Sequence, residues 1–158
     1  MNFILIALIV LLDKATKLLA IEYLQPIRTL PIIEGIFHLT YHENRGAAFG
    51  ILQGQRTFFL IATTIVLIAI AIFMYKYRRI YTPMKLGLNL IVAGAIGNLI
   101  DRIRFGFVVD FFDFRIWPVF NIADSAVVVG AILVSYIILK YDHYEPVEPN
   151  EPIEPKEM

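Results

Sequence analysis

Four long apolar blocks are the feature that most constrains the fold of this chain. They cover residues 3–20, 57–75, 85–100 and 122–139. A helix needs about 20 mostly apolar residues to cross a bilayer, within a range near 17–25. The second and fourth blocks fit well, whereas polar residues interrupt the first and third toward their C-terminal ends. Since 58% of all residues are hydrophobic, more than the usual half of a soluble domain, we expect an α-helical membrane protein with four transmembrane helices.

The first block is predicted to be a retained helix rather than a cleaved signal peptide. Asp13, Lys14 and Lys17 interrupt its apolar run, and no basic residue precedes that run. A signal peptide would have a basic start and a clean apolar core. We therefore expect residues 1–141 to form one integral membrane domain. The Pro/Glu repeat of residues 142–158 cannot bury apolar area and is predicted to be a disordered cytoplasmic tail.

The connection between the second and third blocks predicts the orientation of the chain. It contains Lys76, Arg78, Arg79 and Lys85 and no acid, which is typical of a cytoplasmic loop. Both termini are then cytoplasmic, and residues 21–56 and 101–121 lie outside. These outer segments also contain arginines, most of them beside acids, which indicates a structured polar layer.

One outer segment has the pattern of a β-strand. In GIFHLTY, residues 35–41, Phe37, Leu39 and Tyr41 alternate with their neighbours at a period of two. Asn-Arg-Gly at positions 44–46 then predicts a turn. We therefore expect a small extracytoplasmic β-sheet between helices 1 and 2.

Composition excludes several kinds of site. The formal net charge is +0, so the chain lacks the basic surface that attracts nucleic acid. There is no cysteine, which excludes disulfides, thiol catalysis and cysteine–metal sites. His38 and His42 lie on a predicted strand, and a shared metal there is not favoured. No metal and no cofactor are predicted.

Polar residues of the apolar blocks collect at one depth, near the outer interface. The set is Asp13 and Lys17 in the first block, Asn98, Asp101 and Arg102 at the end of the third, and Asn121, Asp124 and Ser125 at the start of the fourth. A conduction path would carry polar groups through the whole membrane, and Asn89 is the main deeper exception. These residues could also have structural roles alone. Asp13 and Lys17 could form an i,i+4 ion pair, Asn121 could be a helix N-cap, and Asp124 could be an acid in the first turn of a helix.

Acidic residues flank a short aromatic segment between the third and fourth blocks. Asp110 and Asp124 each lie beside an apolar helix, and two carboxylates in a partly dry site tend to share one proton. One can then take a proton from water while its partner polarises a carbonyl, as aspartic peptidases do. Asp113 competes with Asp110 for this role, and the residues alone do not separate them.

Two other classes of function remain open from the residues alone. The chain could be a small transporter whose outer aspartates gate an ion, or a non-catalytic assembly subunit whose acids bind a partner. The transporter hypothesis predicts ion or proton flux and polar residues deep in the helices. The assembly-subunit hypothesis predicts that replacing these carboxylates by amides alters partner binding, and it involves no reaction product.

Five sequence blocks resemble the motifs of bacterial lipoprotein signal peptidase, also called signal peptidase II. They are DKATK, ENRGAAFG, GNLIDR, VVDF and FNIADS, and they occur in the family's order over nearly the whole chain except its tail. The resemblance implies an aspartic endopeptidase of the bacterial cytoplasmic (inner) membrane, with its active site near the outer face. Its substrates would be diacylglyceryl-modified prolipoproteins, cut just before the lipidated cysteine. The resemblance further implies membrane lipid and globomycin-type inhibitors as partners, and we expect a monomer.

The same resemblance assigns site residues. It implies that Asp110 and Asp124 are the catalytic pair, which favours Asp110 over Asp113 by analogy. Polar residues lining the family's site correspond to Asn98, Arg102 and Asn121. Asn44 and Gly46 correspond to its outer loop, and Asp13, Lys17 and Asp101 to its supporting residues.

Overall fold

The computed structural model describes residues 1–46, 51–77 and 81–140, which contain four α-helices and three strands. The helices are α1 (Phe3–Leu19), α2 (Arg56–Lys76), α3 (Thr82–Arg104) and α4 (Ile122–Lys140), and a π-helical turn, Ala20–Leu24, extends α1. The strands are β1 (Thr29–Ile33), β2 (Phe37–Asn44) and β3 (Val108–Asp113). Each predicted apolar block forms a helix. The predicted tail, residues 142–158, and Arg78 and Arg79 of the predicted cytoplasmic loop lie outside the described residues.

Three helices have the length and composition to cross a membrane. They are α2, α3 and α4, with 21, 23 and 19 residues. Helix α1 is shorter, at 17 residues, and contains charged side chains. Helix α2 buries Met74 alone and exposes large apolar residues such as Ile61 and Ile65. Such continuous apolar surface suits contact with lipid rather than water, so the chain is a helical membrane-type protein.

Close packing of α3 on α4 depends on glycine. A Cβ added at Gly94 would lie 2.2 Å from the carbonyl oxygen of Ala123, and one at Gly130 would lie 2.6 Å from the carbonyl oxygen of Gly87. Small residues let helix backbones approach closely where van der Waals contact, rather than the hydrophobic effect, drives association. The close approach of Gly94 to Ala123 places the start of α4 against the C-terminal half of α3, where the polar residues lie.

The strands form an antiparallel sheet in the order β1-β2-β3. The predicted strand within residues 35–41 is confirmed as part of β2. The sheet is not confined to the segment between helices 1 and 2, because β3 comes from the connection between α3 and α4. In the register of β2 and β3, His42 lies opposite Asp110 and His38 opposite Asp113. Pairing with β2 thus gives the aspartate-bearing segment a fixed strand geometry, where the sequence suggested a loop.

The two ends of the helical bundle have different interiors. Away from the sheet, the core is an apolar cluster of Met74, Met84, Leu88 and Ile137, with Asn89 as a buried polar neighbour. Near the sheet, an apolar cluster that includes Leu24, Tyr41, Val109 and Phe111 packs the π-helical turn against β2 and β3. Beside it lie five buried polar or charged side chains: Asp13, Lys17, Asp101, Asp110 and Asn121. Such groups are costly to bury unless they are paired and hydrogen-bonded.

Candidate active site

Asp110 lies in β3 with its side chain fully buried (0% exposed). Its Oδ1 accepts a hydrogen bond from the side-chain amide of Asn121 at 2.6 Å, and its Oδ2 accepts one from the amide of Asn44 at 2.9 Å. Burial, and next the negative charge of Asp124, raise the pKa of Asp110 to about 8. The two amide hydrogen bonds and Lys17 act in the opposite direction. The net effect of these surroundings is to disfavour the charged form of Asp110.

Asp124 lies in the first turn of α4. Its Oδ1 accepts from the amide of Asn98 at 2.7 Å, and its Oδ2 accepts from the backbone N–H of Asn121 at 3.3 Å. In return, the backbone N–H of Asp124 donates to Oδ1 of Asn121 at 2.8 Å. This reciprocal arrangement is a capping box, and it confirms Asn121 as the predicted helix cap. The positive end of the helix dipole favours an anion at this position.

Asn121 joins the two aspartates into one network. Its Oδ1 must face the N–H of Asp124, which is a donor, so its Nδ2 faces Asp110. The orientation of Asn98 is determined in the same way. Its Oδ1 accepts from Lys17 at 2.9 Å and from Asn121 at 3.2 Å, which directs its Nδ2 toward Asp124. Backbone and lysine donors thus select the amide orientations that present N–H groups to both carboxylates.

Asp113, the competing acid, has a different environment. Side chains alternate between the two faces of a strand, and three positions of separation place Asp113 on the face opposite Asp110. Its carboxylate accepts from Thr40 Oγ1 at 2.8 Å and from the backbone N–H and guanidinium of Arg115 at 2.9 and 3.1 Å. Its partial burial would raise its pKa, but these bonds and the charge of Arg115 outweigh burial and lower it. Asp113 is therefore ionised and has its own partners, apart from Asp110 and Asp124.

A buried charge cluster lies next to the two aspartates. Lys17, which is 2% exposed, is 3.0 Å from Asp13 and 2.8 Å from Asp101, so the predicted Asp13–Lys17 ion pair is confirmed. Asp13 also accepts from the backbone N–H of Ala123 at 3.0 Å. Lys14 binds Asp101 and the carbonyl oxygen of Gly97. Lys14 lies within the DKATK motif but was not predicted as a site residue, because the sequence does not reveal that α3 packs beside it.

Arg102 contacts the chain that follows β2, not the aspartates directly. Its guanidinium donates to the carbonyl oxygen of Gly46 at 3.1 Å and lies 4.6 Å from the ring centre of Phe59. The backbone N–H of Gly46 in turn donates to Oδ1 of Asn44 at 3.0 Å, which directs the Nδ2 of Asn44 to Asp110. A Cβ at Gly46 would lie 2.6 Å from the carbonyl oxygen of Ile51. Arg102 and Gly46 therefore hold Asn44 in place.

The predicted site residues thus separate into three groups by contact. Asn44, Asn98 and Asn121 bind the two aspartates, Asp13, Lys17 and Asp101 form the charge cluster, and Arg102 and Gly46 hold the segment that follows β2. Within residues 1–46, 51–77 and 81–140, no group of three or more His, Cys, Asp or Glu side chains could hold a metal ion. The chemistry available to this arrangement is proton transfer between carboxyl groups and water.

Comparisons with known proteins agree with the sequence motifs. The family model "Signal peptidase (SPase) II" matches residues 5–140. The lipoprotein signal peptidase of Halothermothrix orenii is 52% identical over 138 residues, covering 87% of this chain and 94% of the relative. That of Caldanaerobacter subterraneus subsp. tengcongensis is 49% identical over 140 residues, covering 88% and 96%.

Solved structures agree as well. One bacterial membrane enzyme, solved at 2.3 Å, superposes with a TM-score of 0.82 and 38% identity, covering 96% of this chain and 93% of that one. A second, solved at 1.9 Å, gives 0.79 and 39%, covering 87% and 92%. Together with the match over residues 5–140, these likenesses show that the chain belongs to the signal peptidase II family of membrane peptidases.

Proposed function

We propose that this chain is an aspartic endopeptidase that removes signal peptides from prolipoproteins, with Asp110 and Asp124 as its catalytic pair. The observation that supports this most strongly is their joint network. The two carboxylates come from different elements, β3 and α4. Asn121 donates its side-chain amide to Asp110 at 2.6 Å and its backbone N–H to the carboxylate of Asp124 at 3.3 Å. A purely structural helix cap would need Asp124 but not a second, fully buried carboxyl group.

The pair shares one proton, which Asp110 carries in the resting enzyme. Burial raises its pKa to about 8, whereas Asp124 lies in the first turn of α4, where the positive end of the helix dipole stabilises an anion. Asp124 is then the general base and Asp110 the general acid. Because the two carboxyl groups interact, the apparent pKa values measured in a titration describe the pair rather than either residue.

Hydrolysis proceeds in two steps, each with two proton transfers. Asp124 takes a proton from water, whose oxygen bonds to the scissile carbonyl carbon, while Asp110 protonates the carbonyl oxygen. The resulting diol collapses when one hydroxyl returns its proton to Asp110 and Asp124 gives its proton to the leaving nitrogen, which breaks the carbon–nitrogen bond. Both carboxyl groups then have their original protonation states, and no metal or cofactor takes part.

The other site residues position this pair. Asn44, Asn98 and Asn121 hold the carboxylates, and the cluster of Asp13, Lys17 and Asp101 holds Asn98 and the start of α4. Arg102 and Gly46 hold the segment that enters the site. The segment that follows, residues 47–50, lies outside the described residues.

The proposed substrate is a prolipoprotein already modified with diacylglycerol, cut just before its lipidated cysteine. The relatives are lipoprotein signal peptidases. The lipid modification of the substrate and the position of the cut are proposed from the resemblance of the motifs. Exposed apolar residues along α2 and α4 suit a lipidated helix that arrives laterally from the bilayer. We propose that the protein acts as a monomer and is blocked by globomycin-type inhibitors.

The proposed topology has four membrane crossings. Helix α1 and its π-helical turn keep the chain helical from Phe3 to Leu24, about 33 Å at 1.5 Å per residue, which is enough to span a bilayer core. The cations of residues 76–85 then lie in the cytoplasm with both termini, and the sheet and catalytic pair lie at the outer face. Residues 1–141 would form the peptidase domain and residues 142–158 a cytoplasmic tail.

Transport is less well supported by the interior of α3. Between Asn89 and Asn98, its buried residues are Val92, Ala93, Gly94 and Gly97, none of which carries a polar side chain. A proton or ion path through the bundle would need polar groups along this stretch.

The test is a gel-shift assay with purified protein in detergent or vesicles. A prolipoprotein, with and without its diacylglyceryl group, is incubated with wild type, Asp110→Asn and Asp124→Asn. We expect wild type to shorten the lipidated substrate alone, and each folded variant to leave it intact. Cleavage by both variants would exclude this catalytic pair, and no cleavage by wild type, under conditions where a relative is active, would exclude the peptidase itself.

A further inference from the structure

A cavity lies at the end of the helical bundle away from the catalytic pair. Its volume is about 700 Å³, and it opens between the first residues of α1, the last turns of α2 and the first turns of α3. Asn89 in its wall is 12 residues before Asp101 along α3, a distance of roughly 18 Å at the helical rise. We propose that this cavity binds the phosphate-bearing headgroup of an anionic phospholipid.

Lys85 is the first reason for this assignment. It lines the cavity and is partly buried, and it makes no ion pair or side-chain hydrogen bond with any residue in the described ranges. No Asp or Glu occurs among the lining residues. A lysine ammonium in a concave, partly apolar wall without a counter-ion favours an anionic ligand.

Asn89 supplies an uncommitted donor in the same wall. The side chain is 4% exposed, and its Oδ1 accepts from the backbone N–H of Asn2 at 3.1 Å. That bond determines which side-chain atom of Asn89 is the oxygen, because Asn2 N–H is a donor. The NH2 group then has no acceptor among the residues described here. This amide donor is therefore available to a phosphate oxygen bound in the cavity.

Two helices start at this cavity. Asn2 caps α1, and α3 begins at Thr82 without a side-chain cap and with a proline in its first turn. The positive ends of both helix dipoles favour an anion there. The C-terminal end of α2 has the opposite dipole, so the favourable field comes from α1, α3 and Lys85.

The apolar part of the wall identifies the anion as a lipid headgroup rather than free phosphate. Phe3, Leu5, Met74 and Leu86 line the cavity beside the polar groups, and Phe3 and Leu86 remain exposed toward the outside of the bundle. Acyl chains can cover these side chains while the phosphate contacts Lys85 and Asn89. The leaflet is the cytoplasmic one if the proposed topology holds, whereas the binding chemistry does not depend on the peptidase assignment.

The test is lipid retention by the full-length protein in native mass spectrometry. The protein in zwitterionic detergent is mixed with phosphatidylglycerol or with phosphatidylcholine of identical chains. We expect wild type to retain phosphatidylglycerol preferentially, and Lys85→Gln to lose about tenfold in apparent affinity, comparable to one charge-assisted hydrogen bond. Asn89→Asp, which keeps the acceptor for Asn2 but replaces the donor with an anion, should lose at least as much.

Lys76→Gln is the matched control. Lys76 is exposed at the end of α2, lies over the Tyr77 ring and is not part of the cavity wall. The Lys76→Gln variant should therefore retain as much lipid as wild type. Equal losses in Lys76→Gln and Lys85→Gln would overturn the site in favour of a diffuse basic surface. Displacement of the lipid by millimolar inorganic phosphate alone, or equal retention of both lipids, would also overturn it. Prolipoprotein cleavage in one fixed detergent verifies that each variant is folded.

Discussion

The two ends of the helical bundle bury opposite kinds of side chain. The end near the sheet buries ions and amides around Asp110 and Asp124, whereas the far end buries Met84, Leu88 and Ile137. An apolar interior is the simpler way to hold helices together, and a buried ion pair is often no more stabilising than an apolar replacement of the same shape. The buried ions near the sheet therefore indicate chemistry, and the apolar cluster of Met84, Leu88 and Ile137 holds the helices together at the other end.

Lys17→Met should have the largest effect on stability. The change removes the ammonium that lies 2.8 and 3.0 Å from Asp101 and Asp13, and unpaired buried charge costs roughly 3–5 kcal/mol. Because Asn98 also loses its orienting donor, the activity of any folded fraction should fall as well. Thermal unfolding in detergent measures the first effect and prolipoprotein cleavage the second.

Lys14→Met is the matched control for that change. Lys14 is 20% exposed, against 2% for Lys17, and without it Asp101 keeps its contact with Lys17 at 2.8 Å, so the loss of stability should be clearly smaller. Equal losses for both variants would show that the buried cluster is not centred on Lys17.

Ile137→Ala examines the apolar end. The side chain is 2% exposed and packs in the cluster with Met74, Met84 and Leu88, so the cavity left behind should cost about 2 kcal/mol. Its distance from the catalytic pair predicts an unchanged kcat below the unfolding temperature. A large fall in kcat without a fall in Tm would contradict the proposal that the apolar end contributes to stability and not to catalysis.

The activity of the wild-type enzyme should depend on the proton of Asp110. Burial raises the pKa of this carboxyl to about 8, so the acid form needed for catalysis is lost as the pH rises through that value. Between pH 7 and pH 9, kcat should fall about tenfold. Circular dichroism at pH 9 verifies that the enzyme remains folded, and a rate that stays constant to pH 9 would assign the proton elsewhere.

Asn44→Ala should have the smallest effect and also change the pH profile. The change removes one of two amide hydrogen bonds to Asp110, a loss of about 1 kcal/mol, or roughly a fivefold lower kcat at pH 7. Because that bond lowers the pKa of Asp110, its removal should move the alkaline limb to higher pH. An alkaline limb displaced to lower pH would contradict the assigned contact.

Much of the fold could be predicted because hydropathy is a local signal. The helical blocks, the strand around residues 37–41 and the Asp13–Lys17 pair were all available from spacing. Strand β3 was missed because VVDFFD has no clear alternation of apolar and polar residues, and its pairing with β2 is a long-range contact that the sequence does not show.

The missed strand also explains why Asp110 and Asp113 could not be separated. In a loop, three residues of separation say nothing about direction, whereas in a strand they mean opposite faces. The same limit applies to Asn121 and Lys14. The sequence predicts that Asn121 caps a helix, but its second contact, with Asp110, depends on how β3 lies against α4.

The most direct test of the account compares Asp110→Asn with Asp113→Asn. Both changes remove one carboxylate from the same strand, but only Asp110 belongs to the network of Asn121 and Asn98. With each variant verified as folded, kcat for a lipidated prolipoprotein should fall by roughly 1,000-fold or more for Asp110→Asn, since general acid–base groups contribute about 10²–10⁴-fold each. For Asp113→Asn it should remain within a few-fold of wild type. A reversed order, or equal losses, would contradict the assignment of the catalytic pair.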